Sequence, residues 1–517
     1  MRSATLALLL LPFGDDLSEH IDGEIDRKLA ASGIRPGPPA DDYEFFRRVH
    51  LDLLGRLPRS EEIRAFAKSP DRGRAIDALL DSPEAARYWA DRWLRRLVTI
   101  DLREGDPGVV DFPGFHGWLE KIWRERMPYD RFAALLIAAE GERDRSPEVN
   151  FLARYADPKR PPSEVAGRVG RAFLGLQLEC AQCHDHPHES WTQKDFWGFA
   201  AFFANLRLRT RQTFDGLRSK LVQEGPLETP VVSVVDEGWK MSPRFLDGRS
   251  PAAGRRPREE LARFMMTMPG RQFARAFVNR EWAHFMGHGL VEPVDQITEK
   301  NPPSHPKLLE ILAEDFEKNG YDVRRLYRAI LRSRAYQASC RKEGKVDPRL
   351  YAHKPLKPQG PIEFLNNFEY ALDLATFFRT FYDQYRGNKD LPESYKNPVV
   401  FRVYMTQFIA GVLAPGGRAP EEIPYTGSSR LALKLMNNRD LHGLMSAQWG
   451  HLKRTLETLT DPGARLEEIF LTLLSRPPDD AERKRYLEYV SRKRGEATAY
   501  EDLYWVLVNS PEFFFNH

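Results

Sequence analysis

The chain has 517 residues and carries 77 basic against 74 acidic side chains, a net charge of +3. That balance argues against a partnership with nucleic acid or an anionic membrane surface, and three cysteines are too few for a disulfide framework. Hydrophobic residues at 42% and aromatic residues at 11% are enough for packed cores, and the length fits two or three domains.

In chain order, Met1-Arg2-Ser3 and the apolar run from Ala4 to Phe13 have the basic start and hydrophobic stretch of a short secretory signal, residues 1–14. A buried N-terminal helix is the alternative. The run is too short to span a bilayer, and no later segment has transmembrane length. Tyr43 to Leu54 places Phe45, Val49 and Leu53 on one helical face and stops at Gly55-Arg56-Leu57-Pro58. Ser60-Glu61-Glu62 opens the next helix, and Pro83 to Leu97 forms another around Trp89 and Trp93. Ser163 to Leu178 reads as one helix. Thr192-Gln193-Lys194-Asp195 is a capping box that opens a helix bearing Phe196, Trp197 and Phe199.

Between about 206 and 256 the helical pattern breaks, and Val231 to Val235 is strand-like. Helices resume at Gln272 to His284, Pro306 to Lys318 and Val323 to Arg332, with a looser stretch from Tyr382 to Tyr425. The two ends repeat each other. Leu51-Asp-Leu-Leu-Gly-Arg-Leu-Pro matches Leu471-Thr-Leu-Leu-Ser-Arg-Pro-Pro, and Ser82-Pro83-Glu84 matches Ser510-Pro511-Glu512. The expected fold is mainly α: two helical domains, 15–206 and 259–517, joined by a β-containing connector, 207–258, with a duplicated helical hairpin at the chain ends used for packing.

Chemistry concentrates at Cys180-Ala181-Gln182-Cys183-His184. This is C-x-x-C-H, the pattern of covalent c-type haem attachment, with Cys180 and Cys183 as thioether donors and His184 as axial ligand. Thiols three apart lie on one side of a helical turn, within reach of one porphyrin edge. His186 and His188 follow at once, so a tetrahedral Zn site from both cysteines and two of His184, His186 and His188 competes with haem. A C-x-x-C redox pair or a structural loop is the third reading. Trp191, Phe196, Trp197 and Phe199 either wall a porphyrin or form ordinary core. For a sixth ligand, His305 between prolines comes first, then His284, His186, Met265, Met266 and Met268. Asn279-Arg280 either clamps an anionic group or caps a buried network joining the domains. No phosphate loop, nucleophile elbow or H-E-x-x-H helix is present, and no catalytic residue is singled out.

The segments Leu176 to Pro187, Trp191 to Asp195, Ala200 to Phe203 and Arg48 to Arg56 resemble the planctomycete cytochrome-c-like domain, the domain of unknown function fifteen-forty-nine. Phe277 to His284, Gly287 to Pro293, Asn301 to Pro306, Ser333 to Tyr336, Leu435 to Asn437 and Asn509 to Phe513 resemble its usual companion, the domain of unknown function fifteen-fifty-three. His188 departs from the pattern, where the family has an aromatic residue. The resemblance implies an exported bacterial protein, periplasmic or secreted, that binds haem c. Its expected role is electron transfer or a periplasmic oxidoreductase step with a redox partner protein, in a pathway such as carbohydrate catabolism. The competing classes are a non-redox scaffold holding structural Zn and a metal-dependent hydrolase using the His-Asp-His-Pro segment.

Overall fold

The computed structural model describes residues 17–98, 109–155, 162–187, 189–212, 218–224, 231–232, 240–341, 345–372, 383, 386–387, 396–413, 445–448 and 450–517. Over these residues the protein is mainly α, and its sheets are small and antiparallel, as expected. The apolar run at 4–13, His188 and most of the stretch 382–425 lie outside the described residues.

Local chemistry sets the helix ends. Asp41 caps Asp42–Leu54 by accepting from the Glu44 N–H at 2.8 Å. Ser82 caps Pro83–Leu97 by accepting from the Ala85 N–H at 3.1 Å, with Pro83 in the first turn where no N–H is needed. The helices Gln272–Met286, Pro306–Lys318 and Val323–Arg332 stand where the periodicity put them. The segment 163–178 differs from a single helix. Pro162–Val169 passes into a π turn, Gly170–Leu174, and ends at Gly175 with φ +63°. A Cβ there would come within 3.0 Å of Ile297 and 3.2 Å of Ala276, so close packing against the second half demands glycine.

Strands occupy the middle of the chain. Leu206–Gln212 pairs with Arg218–Glu224, which Gly141–Glu142 flanks on its other edge. Val231–Val232 pairs with Lys240–Met241, and residues 233–235 of the expected strand run are not described. Lys357–Pro358 pairs with Phe515–Asn516 near the C-terminus.

The larger core draws on both sides of these strands. Trp93 lies between Phe173 and Phe277, with ring centroids 6.2 Å and 6.5 Å away, and all three side chains are inaccessible. A second core gathers Phe364, Phe368, Ile469, Phe470, Tyr500 and Phe513, and Leu51 and Leu57 of the first hairpin enter it.

The two hairpins are built alike. Arg56 donates to Glu62 (2.9 Å) and Glu84 (2.7 Å), while Arg476 donates to Glu482 (2.7 Å) and Glu512 (2.8 Å). They also pack on each other. Arg47 of the first copy donates to the Glu512 carbonyl of the second (2.7 Å), and Glu468 of the second accepts from Ser60 and Arg64 of the first (2.7 Å each). No helix of the described residues is long and apolar enough to cross a membrane.

Candidate functional site

Cys180 sits in a 3-10 turn, Leu178–Gln182, and Cys183 follows it directly. Leu178 and Ala181 are inaccessible and pin the inner side of the turn to the core. With three residues per turn, positions three apart eclipse, so Cys180 and Cys183 share the outer side. Both are exposed free thiols. The Gln182 carbonyl accepts from the Trp197 indole N–H (3.0 Å) and the Gln193 amide (3.2 Å). Those donors belong to helix Gln193–Ala200, whose Thr192–Asp195 capping box forms as expected. Asp185 adds a second tie by accepting from the Gln193 N–H at 2.8 Å. The turn that carries the thiols is thus held from below by a capped helix.

The histidines differ in tautomer. His184 is exposed, and its Nδ1 lies 2.7 Å from the Asp185 carbonyl oxygen. A carbonyl only accepts, so Nδ1 carries the proton and Nε2 keeps its lone pair. His186 is the reverse: its Nδ1 accepts from the Glu189 N–H at 3.0 Å, which puts the proton of the neutral ring on Nε2. An N–H donated to a backbone carbonyl is how a metal-bound histidine is usually oriented, and His184 has it through the Asp185 carbonyl. Among the described residues no three His, Cys, Asp or Glu side chains converge to hold a metal ion.

The aromatic stripe is core: Phe196, Trp197 and Phe199 are all inaccessible, and only Trp191 is part-exposed. His305 is buried at the start of helix Pro306–Lys318, its Nδ1 3.1 Å from Ser304 Oγ, its ring beside Tyr351, and its Nε2 without a partner. Burial, with Lys28 nearby, lowers its pKa to about 4. None of these contacts involves the cysteine turn. His284 Nε2 donates to the Asp52 carbonyl oxygen at 2.9 Å instead, and burial beside Arg92 and Lys357 keeps its pKa well below the ordinary value. Met265 is buried, and Met266 and Met268 pack against the larger core.

Asn279 and Arg280 form the capping network. Asn279 bonds the Val291 N–H and carbonyl (2.8 and 2.9 Å). Arg280 donates to the Ala172 (2.7 Å) and Arg171 (2.6 Å) carbonyls, the C-terminal end of the π turn, where a cation is favoured. The second half therefore supports the approach to the cysteine turn.

Sequence reasoning passed over two cavities of about 580 Å³ each. One is lined by Arg56, Tyr88, His116 and Arg402, the other by Cys340, Arg476 and His517. Neither includes a residue of the cysteine turn. The mismatches between the two hairpin copies were the available signal.

Residues 20–208 match the family model PSCyt2, a protein of unknown function (DUF1549), and residues 257–358 match PSD1, a protein of unknown function (DUF1553). Searches of curated proteins and of solved structures find no match for the chain.

Proposed function

For a chain that belongs to the PSCyt2 and PSD1 families, we propose the role of an exported bacterial carrier of one haem c that exchanges electrons with a partner protein. The supporting observation is the pairing of two exposed thiols with a His184 whose Nε2 lone pair is left available. Cys180 and Cys183 would form the thioethers, and His184 Nε2 would bind the iron. Bound haem would supply one-electron exchange. The chain's contribution is positional: Trp197 and Gln193 fix the Gln182 carbonyl, and the Asp185 carbonyl fixes the His184 ring. Attachment on an exposed turn keeps the group near the surface, which suits a protein partner better than a small substrate in a sealed pocket.

The test is a visible spectrum of the protein exported from a strain with haem-attachment machinery. A Soret band that survives acid-acetone extraction is expected, and Cys183→Ser should lose normal two-thioether attachment. A colourless protein with one equivalent of Zn overturns the proposal.

A further inference from the structure

The duplicated hairpins wall one cavity each, and equivalent positions face both. Leu54, Arg56 and Glu84 line the first, and their counterparts Leu474, Arg476 and Glu512 line the second. Two lining positions have diverged. Arg59 stands where the second copy has Asp479, and Arg87 where it has Phe515. The second copy closes the same arginine clamp with aspartate and phenylalanine there, so the hairpin itself needs neither arginine.

At position 59 the arginine is a poor helix cap, and its guanidinium reaches Glu84 at 3.7 Å instead. It occupies the N-cap of helix Ser60–Lys68 and its side chain makes no capping hydrogen bond. Asp479 at the equivalent position accepts from the Glu482 N–H at 2.7 Å. A helix N-terminus favours an acid and disfavours a cation. Arg87 is exposed and makes no hydrogen bond or ion pair among the described residues. What the two arginines share is the cavity.

The same lining holds an ordered cluster of paired charges. His116 is buried, its Nε2 2.9 Å from Asp91 and its Nδ1 3.3 Å from Glu120. Both ring nitrogens face carboxylates. Burial would raise the Asp91 pKa, but Arg402 at 3.6 Å and His116 outweigh it and hold Asp91 ionised. The cavity therefore offers the exposed guanidiniums of Arg59 and Arg87 and the less exposed carboxylates of Asp91 and Glu120, with Arg402 beside Asp91, in a volume of the size small-molecule sites have.

We propose that this cavity binds a small hydroxylated organic anion, with its charged group on Arg59 and Arg87 and its hydroxyls on Asp91 and Glu120. Guanidinium forks bind carboxylate and phosphate alike, and ionised carboxylates accept from hydroxyls.

Calorimetric titration of the full chain with gluconate at low salt tests this. Gluconate should bind once per chain, inorganic phosphate should displace it, and uncharged glycerol at the same concentration should not. The double variant Arg59→Asp, Arg87→Phe copies the second hairpin. It should lose about tenfold or more in gluconate affinity and melt no lower than the parent. Arg87→Gln alone, at an exposed side chain without a hydrogen bond or ion pair among the described residues, should lose roughly threefold. Absence of gluconate binding, unchanged affinity in these variants, or displacement by glycerol as effective as by phosphate would each overturn the proposal.

Discussion

At the residue scale, His353-Lys354-Pro355-Leu356-Lys357-Pro358 holds two lysines of very different fate. Lys357 reaches the buried Asp52 carboxylate, which Tyr336 and Asn516 also contact at 2.8 Å. Lys354 is inaccessible, its Nζ has no hydrogen-bond partner, and it lies 4.7 Å from the Tyr336 ring centroid. Burial drives its pKa well below the ordinary lysine value, with Arg48 and Lys357 adding to the effect and Asp52 opposing it. The unfolded amine stays protonated up to about pH 10.4, so the unfolded state binds more protons than the folded one. Stability must then fall as pH drops below that value and level off only below the folded pKa. Lys354→Met should be more stable than the parent at pH 7 by ~1 to 3 kcal/mol, and the gap should close as pH rises toward about 10.5. Urea unfolding of both proteins between neutral and alkaline pH reads this. Parallel pH profiles would show that Lys354 stays charged. Nothing in the sequence separates the two lysines, because which one meets Asp52 depends on a long-range contact.

At the element scale, the arginine clamp is the unit that was duplicated. Burial alone would raise the Glu62 pKa, but hydrogen bonds and charge from Arg56 outweigh it and bring it to about 2. Glu482 is lowered in the same way by Arg476. A carboxylate depressed on folding contributes stability above its unfolded pKa and loses it as pH falls through the folded value. For Glu62 the window runs from 4.5 down to about 2. Arg56→Met should therefore cost ~1 to 3 kcal/mol at neutral pH and should flatten the decline of stability between those two pH values. Unfolding midpoints measured across the acid range check both parts, and a variant with the parent's slope would show that Arg56 does not set the Glu62 pKa. The repeat itself was legible, because its turn and cap residues are local. So was the Thr192–Asp195 box above which the cysteine turn sits. Its partners were not. The pairing of Arg56 with Glu84, 28 positions on, has no periodic signature. Gly55 shows how context then edits a copy. A Cβ there would strike Tyr88 at 2.4 Å, whereas Asn516 stands at the Tyr88 position of the second copy, and Ser475 takes the same left-handed turn at φ +62°.

At the scale of the whole molecule, the two halves complete each other's charges as well as each other's core. Glu281 of the second half is inaccessible, and its carboxylate meets Arg92 (3.0 Å) and Arg96 (3.3 Å) of the first half together with the Tyr327 hydroxyl (2.5 Å). Those arginines hold its pKa down against the burial that would raise it. Separation would leave a buried carboxylate in one fragment and two guanidiniums without their acid in the other, a costly arrangement on both sides. It would also expose the Trp93 contact with Phe277 to water. The β-containing connector is read in the sequence from a change of periodicity, but periodicity carries no information on whether the flanking helices share a core. A fragment of residues 15–206 expressed alone should therefore bind a hydrophobic dye and melt without a cooperative transition. Co-expression with residues 259–517 should restore a sharp one. A fragment that unfolds cooperatively at the temperature of the intact chain would show that the first half is autonomous. The support that Arg280 gives to the Arg171 and Ala172 carbonyls would then be dispensable for the cysteine turn.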